Sequence, residues 1–327
     1  MVVGPLGNKS PDSDRFTLVT PKPENGVRLQ ATLGNQNPTG LPVGAVSGDA
    51  LGVPYEFRKR DSFKATGMTS GGYHNQPLGT WSDDSALLLA LADGLGQDMS
   101  IQEIGNLFVK WRMSGAYTPD GVVFDIGATT NTAIYNIANG IYPTDAGLKG
   151  VHNNGNGALM RILPVAIKYI DDDFREENVE AVASMTHGHK LSIDCCKIYV
   201  EMAVDLLHGM NAIEAYRDVC LRFKRGCDRK LKRFLSGKLL TARRDQIDSS
   251  GYDLSTLEAT VWSLLHNDNY KDTVLAAVNL GDDTDTTACV AGGLAGILYG
   301  YDAIPELWLK QLRGRDQAET IARKLCQ

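Results

Sequence analysis

Gly281-Asp282-Asp283-Thr284-Asp285-Thr286-Thr287-Ala288-Cys289 runs directly into Val290-Ala291-Gly292-Gly293-Leu294-Ala295-Gly296-Ile297-Leu298-Tyr299-Gly300. Three carboxylates and three hydroxyls fall within six residues, and the segment behind them is small and apolar. The oxygens therefore crowd one helix N-terminus, and the helix they open is expected to be buried. A single Asp or Thr would be an ordinary cap there, because a helix N-terminus favours negative charge. Three carboxylates repel one another, and partial burial raises the cost of each unpaired charge. Taken alone, the stretch leaves two readings open, a cation site or a solvated acidic loop. Its donors are hard oxygens with no Cys or His pair nearby, so a cation here would be magnesium, manganese or calcium rather than zinc.

A second stretch has the same design. Gly79-Thr80-Trp81-Ser82-Asp83-Asp84-Ser85 precedes Ala86-Leu87-Leu88-Leu89-Ala90-Leu91-Ala92, again a hydroxyl and adjacent carboxylates at the mouth of an apolar helix. Ser82 as N-cap with two dipole-complementing Asp residues is the plain explanation. Two such mouths in one chain suggest facing halves of one oxygen-lined site.

Outward from these mouths, helical periodicity dominates from Leu41 to the C-terminus and no core strand stands out, so the fold is expected to be all-α, one large helical domain over residues 39–327. Gly44, Gly48 and Gly52 recur every four residues in a small-residue helix, a spacing that lets another helix approach closely. Pro54 ends that helix and leaves Glu56 on a loop whose run from Phe57 to Leu78 is long enough to be a flap over a site. Ser100-x-x-Glu103 and Ser255-x-x-Glu258 read as capping boxes. Asp125, before the helix beginning near Thr129, is read as a cap before a catalyst.

Asn153-Asn154-Gly155-Asn156-Gly157 is a loop whose amides could face a phosphate with help from a following helix dipole, although such clusters are usually plain turns. It lacks the Walker lysine and the dinucleotide-binding glycine spacing. His187 and His189 lack a third nitrogen or thiolate, so His187 is read as a hydrogen-bonding or stacking group in a pocket. The basic span Arg222–Arg244 reads as a solvated helical face.

The chain has 327 residues, 43% hydrophobic and 22% charged, with a net charge of −6. That supports a sizeable core and disfavours nucleic-acid binding by phosphate neutralisation. Six cysteines without a C-x-x-C pair fit a reducing compartment. No stretch reaches membrane-spanning length and no leader pattern opens the chain, so no membrane contact and a cytoplasmic location are expected. Residues 1–38 differ in composition from the rest. Phe16-Thr17-Leu18-Val19 and Val27–Leu33 flank an Asn25-Gly26 turn signal, so this segment is expected to be either a disordered tail or a hairpin arm that docks on a partner.

Together GDALGVPYE, GTWSDDS, FDIGATT, GNGALMRILP, THGH, GYDLSTLEATVW and VNLGDDTDTTACVAGGLAGILYG resemble the ADP-ribosylglycohydrolase family, which contains dinitrogenase-reductase activating glycohydrolase and the ADP-ribosyl-acceptor hydrolases. The resemblance covers about residue 41 to the C-terminus. It implies an all-helical domain with two divalent cations, magnesium first and manganese second, in a cleft for ADP-ribose. By position, Ser82, Asp83 and Asp84 correspond to one ligand set, and Asp283, Asp285 and Thr286 to the other. Glu56 matches the acidic residue near the metals. Gly155, Asn156, Gly157 and His187 match segments that contact ADP-ribose, and Asp125 a carboxylate of arginine-specific members. Ser82 stands where the family commonly has Thr, and Asp282 where it commonly has Gly, which places a third charge beside the metals.

The implied reaction is hydrolysis of the bond between C1 of the distal ribose and a modified protein side chain, through an oxocarbenium-like transition state. Glu56, or an aspartate of the centre such as Asp84 or Asp283, would accept the proton. Arginine is the expected acceptor because Asp125 could pair with a guanidinium; serine-linked ADP-ribose and O-acetyl-ADP-ribose are the alternatives. Residues 1–38 are expected to let the protein bind an ADP-ribosyltransferase, as an immunity or antitoxin protein would. The rival readings are a non-catalytic ADP-ribose-binding or structural member of the same fold, and an unrelated magnesium phosphohydrolase.

Overall fold

The computed structural model describes Leu18 and residues 40–327. The hairpin and arm expected within residues 1–38 lie, Leu18 apart, outside the described residues. The helices are α1 (Gly40–Gly52), α2 (Asp83–Gly96), α3 (Ile101–Ser114), α4 (Ala128–Ala138), α5 (Pro143–Ala146), α6 (Leu163–Lys168) and α7 (Arg175–Ser184). They continue with α8 (Lys190–Leu207), α9 (Ala212–Arg222), α10 (Asp253–Leu265), α11 (Tyr270–Val278), α12 (Thr284–Tyr299), α13 (Glu306–Gln311) and α14 (Arg315–Leu325). Among the described residues no strand forms, only isolated bridges such as Gly155 with Tyr252. The fold is all-α.

The helix pair α1 and α12 organises the molecule, and glycine is the reason it can. A Cβ added at Gly44 would come within 2.6 Å of Gly292 O, one at Gly48 within 2.1 Å of Ala288 O, and one at Gly52 within 2.4 Å of Asp285 Cα. The two helices therefore run antiparallel, backbone against backbone, with no room for a side chain between them. This contact delivers the acidic start of α12 to the end of α1. Helix α2 is apolar all round, with Leu87, Leu88, Leu89 and Leu91 fully buried, as expected of a helix at the centre of a core.

Asp49 joins α2 to this pair. Its carboxylate accepts from Ser82 N at 3.0 Å, Ser85 N at 3.0 Å and Ser85 Oγ at 2.5 Å. One buried side chain of α1 thus satisfies amides at the mouth of α2 that the helix itself cannot.

Two local expectations are corrected. Ser255 does not cap α10, which begins at Asp253 after Tyr252. Asp253 N bonds to Asn154 O at 3.0 Å, starting the helix earlier, while Ser255 Oγ donates to Asp248 and Glu258 pairs with Arg233. The Arg222–Arg244 span is not one helical face. After Arg222 it breaks into short 3₁₀ turns that bury Leu231, Phe234 and Leu239, with left-handed Gly226 and Gly237 interrupting any longer helix. Its charges are partly committed, Arg222 to Glu201 and Asp218 and Arg244 to Asp61. The capping box at Ser100 and Glu103 forms as expected.

Candidate active site

The mouths of α2 and α12 meet. Thr286 Oγ1 at the start of α12 donates to Asp84 Oδ1 in the first turn of α2 at 3.3 Å. Carboxylate oxygens of Asp49, Asp84 and Asp285 lie within 4.8 Å of one another, and so do those of Glu56, Asp283 and Asp285. A cavity of about 260 Å³ opens over this floor, lined among others by Asp83, Asp84, Asp283 and Thr286. Its walls include Glu56, Asp125, Gly155, Asn156, Gly157 and His187, so residues from distant parts of the chain converge on one cleft.

Two expected ligands do not line the cavity: Ser82 is an N-cap, and Asp285 lies under the floor, its carboxylate within 4.8 Å of oxygens of Asp84 and of Asp283. Ser82 is buried, and its hydroxyl is an N-cap that accepts from Asp84 N and donates to Asp84 Oδ2, both at 3.2 Å. Asp285 is fully buried, with Oδ1 accepting from Thr286 N at 2.9 Å. Asp282 does not add its charge to the centre. Its side chain is exposed, its φ is 59°, and its backbone is tied to the loop by Asp282 N to Arg58 O at 2.9 Å and Phe57 N to Asp282 O at 2.8 Å. Those two bonds orient the turn, and the Asp282 charge acts on Arg60 instead.

Asp125 is no helix cap. Gly127 holds that position for α4, and Asp125 sits in the left-handed region at φ 57° with its carboxylate in the cleft. His74, which drew no attention in the sequence, lies between Asp125 and Glu56. Its Nε2 is 2.5 Å from Glu56 Oε2 and 3.4 Å from Asp125 Oδ1. It reaches there from the 57–78 loop, whose base is fixed by Arg60 donating to Leu280 O at 2.8 Å and Arg244 O at 2.7 Å. From this loop Phe57 lines the cavity and His74 meets two of its wall carboxylates.

In the glycine-asparagine loop, Asn156 Nδ2 donates to Asp283 Oδ2 and to Thr256 Oγ1, both at 2.8 Å, linking this wall to the acidic floor. The Asn156 amide is bonded to Gly251 O at 3.2 Å, which removes it from the amide set expected to meet a phosphate. The segment after the loop is a 3₁₀ turn, Leu159–Arg161, and α6 beyond it is only six residues long. The expected helix-dipole assistance is therefore absent. His187 is buried, its Nδ1 lies 2.8 Å from Thr186 Oγ1, and a Cβ at Gly157 would lie 2.9 Å from its ring. Burial, reinforced by the Arg161 guanidinium, pushes His187 down to about 3, so it is a neutral ring at physiological pH. His189 caps α8 by accepting from Leu191 N.

Asp49 is the other functional residue the sequence did not reveal. A lone carboxylate beside Gly48 on a helix of small residues was its one signal.

The donor set fits a hard divalent cation. All its atoms are carboxylate or hydroxyl oxygens, and Asp283 Oδ1 and Asp285 Oδ2 are buried without a hydrogen-bond partner. Without a cation the site is electrostatically crowded. Burial first, then neighbouring carboxylates, raise Asp83, Asp84 and Asp285 well above the ordinary carboxylate range. The same causes raise Asp125 to about 7 and Glu56 to about 10. Burial alone raises Asp49 to about 6 against the opposing hydrogen bonds from Ser85 and Ser82.

Each of these groups holds its proton more tightly folded than unfolded. The cation-free protein is therefore expected to lose stability as pH rises through Asp49 near 6 and Asp125 near 7. Cations bind the deprotonated carboxylates, so saturating Mg2+ should raise the melting temperature more at pH 8 than at pH 6. Thermal melts with and without Mg2+ at the two pH values check this; equal increments contradict it.

Fold and site define an all-α protein with a metal-capable, oxygen-lined cleft. The chain belongs to the ADP-ribosylglycohydrolase family, whose family model matches residues 37–327. It is 31% identical over 292 residues to ADP-ribosylarginine hydrolase Tri1 of Serratia proteamaculans (strain 568), a match covering 88% of this chain and 78% of that one. It is 29% identical over 287 residues to ADP-ribosyl-[dinitrogen reductase] glycohydrolase of Rhodospirillum rubrum, covering 84% and 89%. A solved structure described as an ADP-ribosylglycohydrolase-related protein complex superposes with a TM-score of 0.78 at 28% identity, covering 88% of this chain and 96% of that one. The protein is a hydrolase of this family. No described helix is long and apolar enough to cross a membrane.

Proposed function

We propose that this chain hydrolyses the glycosidic bond between ADP-ribose and a modified arginine side chain of a protein, with two divalent cations, magnesium before manganese, held by Asp83, Asp84, Asp283, Asp285 and Thr286. The observation that carries the reading is the pair of orphaned buried oxygens, Asp283 Oδ1 and Asp285 Oδ2, at an acidic floor beneath a cleft. The Tri1 relatives, named as ADP-ribosylarginine hydrolases, support arginine as acceptor.

When bound, such cations would help orient the ribose and supply Lewis-acid activation of the attacking water. The protein's own groups do the rest. Asn156 holds Asp283 in place through a 2.8 Å hydrogen bond. The Gly155–Gly157 turn and neutral His187 form the wall for ADP-ribose. Glu56 Oε2, 2.5 Å from His74 Nε2, would take and return the proton once bound cations have displaced the one that burial and its neighbours hold on it, and Asp125 faces the acceptor. Ser82 contributes by fixing the first turn of α2, with Asp49 behind it.

Residues 1–38 contact an ADP-ribosyltransferase in an immunity role; unchanged transferase binding after their removal rejects that part. The main test incubates the chain with an arginine-ADP-ribosylated protein, with Mg2+ and with EDTA. Free ADP-ribose released only with Mg2+ is expected. Release of AMP, or binding of ADP-ribose without turnover, contradicts the assignment.

A further inference from the structure

The mouth of the cleft carries ring surface that the packing of its loop does not explain. Phe57 and Tyr73 meet edge to face at 4.9 Å, yet remain 57% and 75% exposed. His74 lies 5.1 Å from both Tyr73 and Phe124, so a continuous run of ring contacts leads from Phe57 in the cavity lining to Phe124 beside Asp125. Rings placed only to bury apolar area would be covered. Phe57 instead lines the cavity, held at φ 62°, a left-handed conformation that a bulky side chain seldom adopts. Asp125, next to Phe124, is left-handed too, at φ 57°. Strained backbone maintained on both sides of one opening is a mark of positioned binding groups.

Beneath the rings lie Glu56 and Asp125. The position of His74 Nε2, 2.5 Å from one carboxylate and 3.4 Å from the other, shows that a single nitrogen donor at this point meets both. A guanidinium that reaches Asp125 from the ring side, beside His74, suits such a place better than an ammonium or a hydroxyl, because it stacks flat on aromatic faces while presenting several N–H donors in one plane. A serine-linked acceptor offers neither charge nor plane.

We propose that Phe57, Tyr73 and Phe124 with Asp125 form the acceptor subsite of the cleft, which takes an arginine guanidinium between ring faces and carboxylate and so selects the acceptor residue. This rests on the arginine-directed reading above and adds the residues that do the selecting. The rings contact the acceptor and leave the ADP-ribose half of the substrate to the glycine-asparagine wall and the acidic floor.

The test compares wild type, the double variant Phe57→Ala/Tyr73→Ala, and Tyr73→Phe. Steady-state kinetics use an arginine-ADP-ribosylated peptide with Mg2+, and ADP-ribose affinity is measured by calorimetry. In the double variant, loss of two cation–ring contacts should raise KM about tenfold, while kcat, ADP-ribose affinity and melting temperature stay near wild type. Tyr73→Phe, which keeps the ring, should retain the wild-type KM. An unchanged KM in the double variant, or an equal loss of ADP-ribose affinity, overturns the subsite while leaving arginine hydrolysis intact. A wild-type protein that does not turn over the arginine-linked peptide overturns the arginine reading itself, and the subsite with it.

Discussion

Asp285→Asn is expected to abolish turnover while making the cation-free protein more stable. The two effects have opposite signs because, as a proposed cation ligand, the residue would serve the cation at the expense of the fold. Asp285 is fully buried, and its carboxyl is raised by burial and then by Glu56, Asp125, Asp84 and Asp283. An amide at this position keeps the acceptor for Thr286 N, which now bonds to Asp285 Oδ1 at 2.9 Å. It replaces the orphaned Oδ2 with donors facing carboxylates and removes one charge from a repelling set. The cation-free melting temperature should rise by about 2 °C. Turnover should fall about a thousandfold, the several kcal/mol that a divalent cation contributes to a transition state of this kind. Thermal melts in EDTA and the ADP-ribose release assay check the two halves.

Gly48→Val should be strongly destabilising. Even a Cβ at Gly48 would lie 2.1 Å from Ala288 O and 2.7 Å from Ala288 C, both backbone atoms that cannot rotate aside. Accommodating valine requires α1 and α12 to separate, at a cost of about 3 kcal/mol. The separation also draws Asp49 and Asp285 apart, since each rides on one of the two helices, so cation affinity should fall with stability. Urea denaturation and Mg2+ titration of the folded fraction measure both. A variant with wild-type stability would show that the helices are not held at the observed distance.

The two acidic mouths were legible in the sequence because carboxylates concentrated before an apolar helix conflict with burial unless something compensates. The glycine spacing of α1 was legible for a related reason, since repeated small residues on one face have little use except close approach. Asp49 and His74 were not legible. A single carboxylate in a small-residue helix has no local pattern, and its role appears only when α2 docks its free amides on it. His74 belongs to a loop whose path is fixed by Arg60 bonding to carbonyls far away in the sequence, at Leu280 and Arg244. Asp282 shows the converse. Its neighbours in sequence are in the site, but a left-handed backbone and two bonds to the loop leave its side chain exposed. Ser255 and the Arg222–Arg244 span misled for the same reason: local signals for caps and helical faces were overridden by tertiary bonds and buried apolar residues.

The most direct measurement of the central claim is a calorimetric titration of Mn2+ into the wild-type protein and into Asp285→Asn. Saturable binding of two ions per chain is expected in the wild type, and loss of binding in the variant despite its more stable cation-free fold. Equal binding by the two proteins, or no saturable binding by either, would contradict a cation centre built where the mouths of α2 and α12 meet.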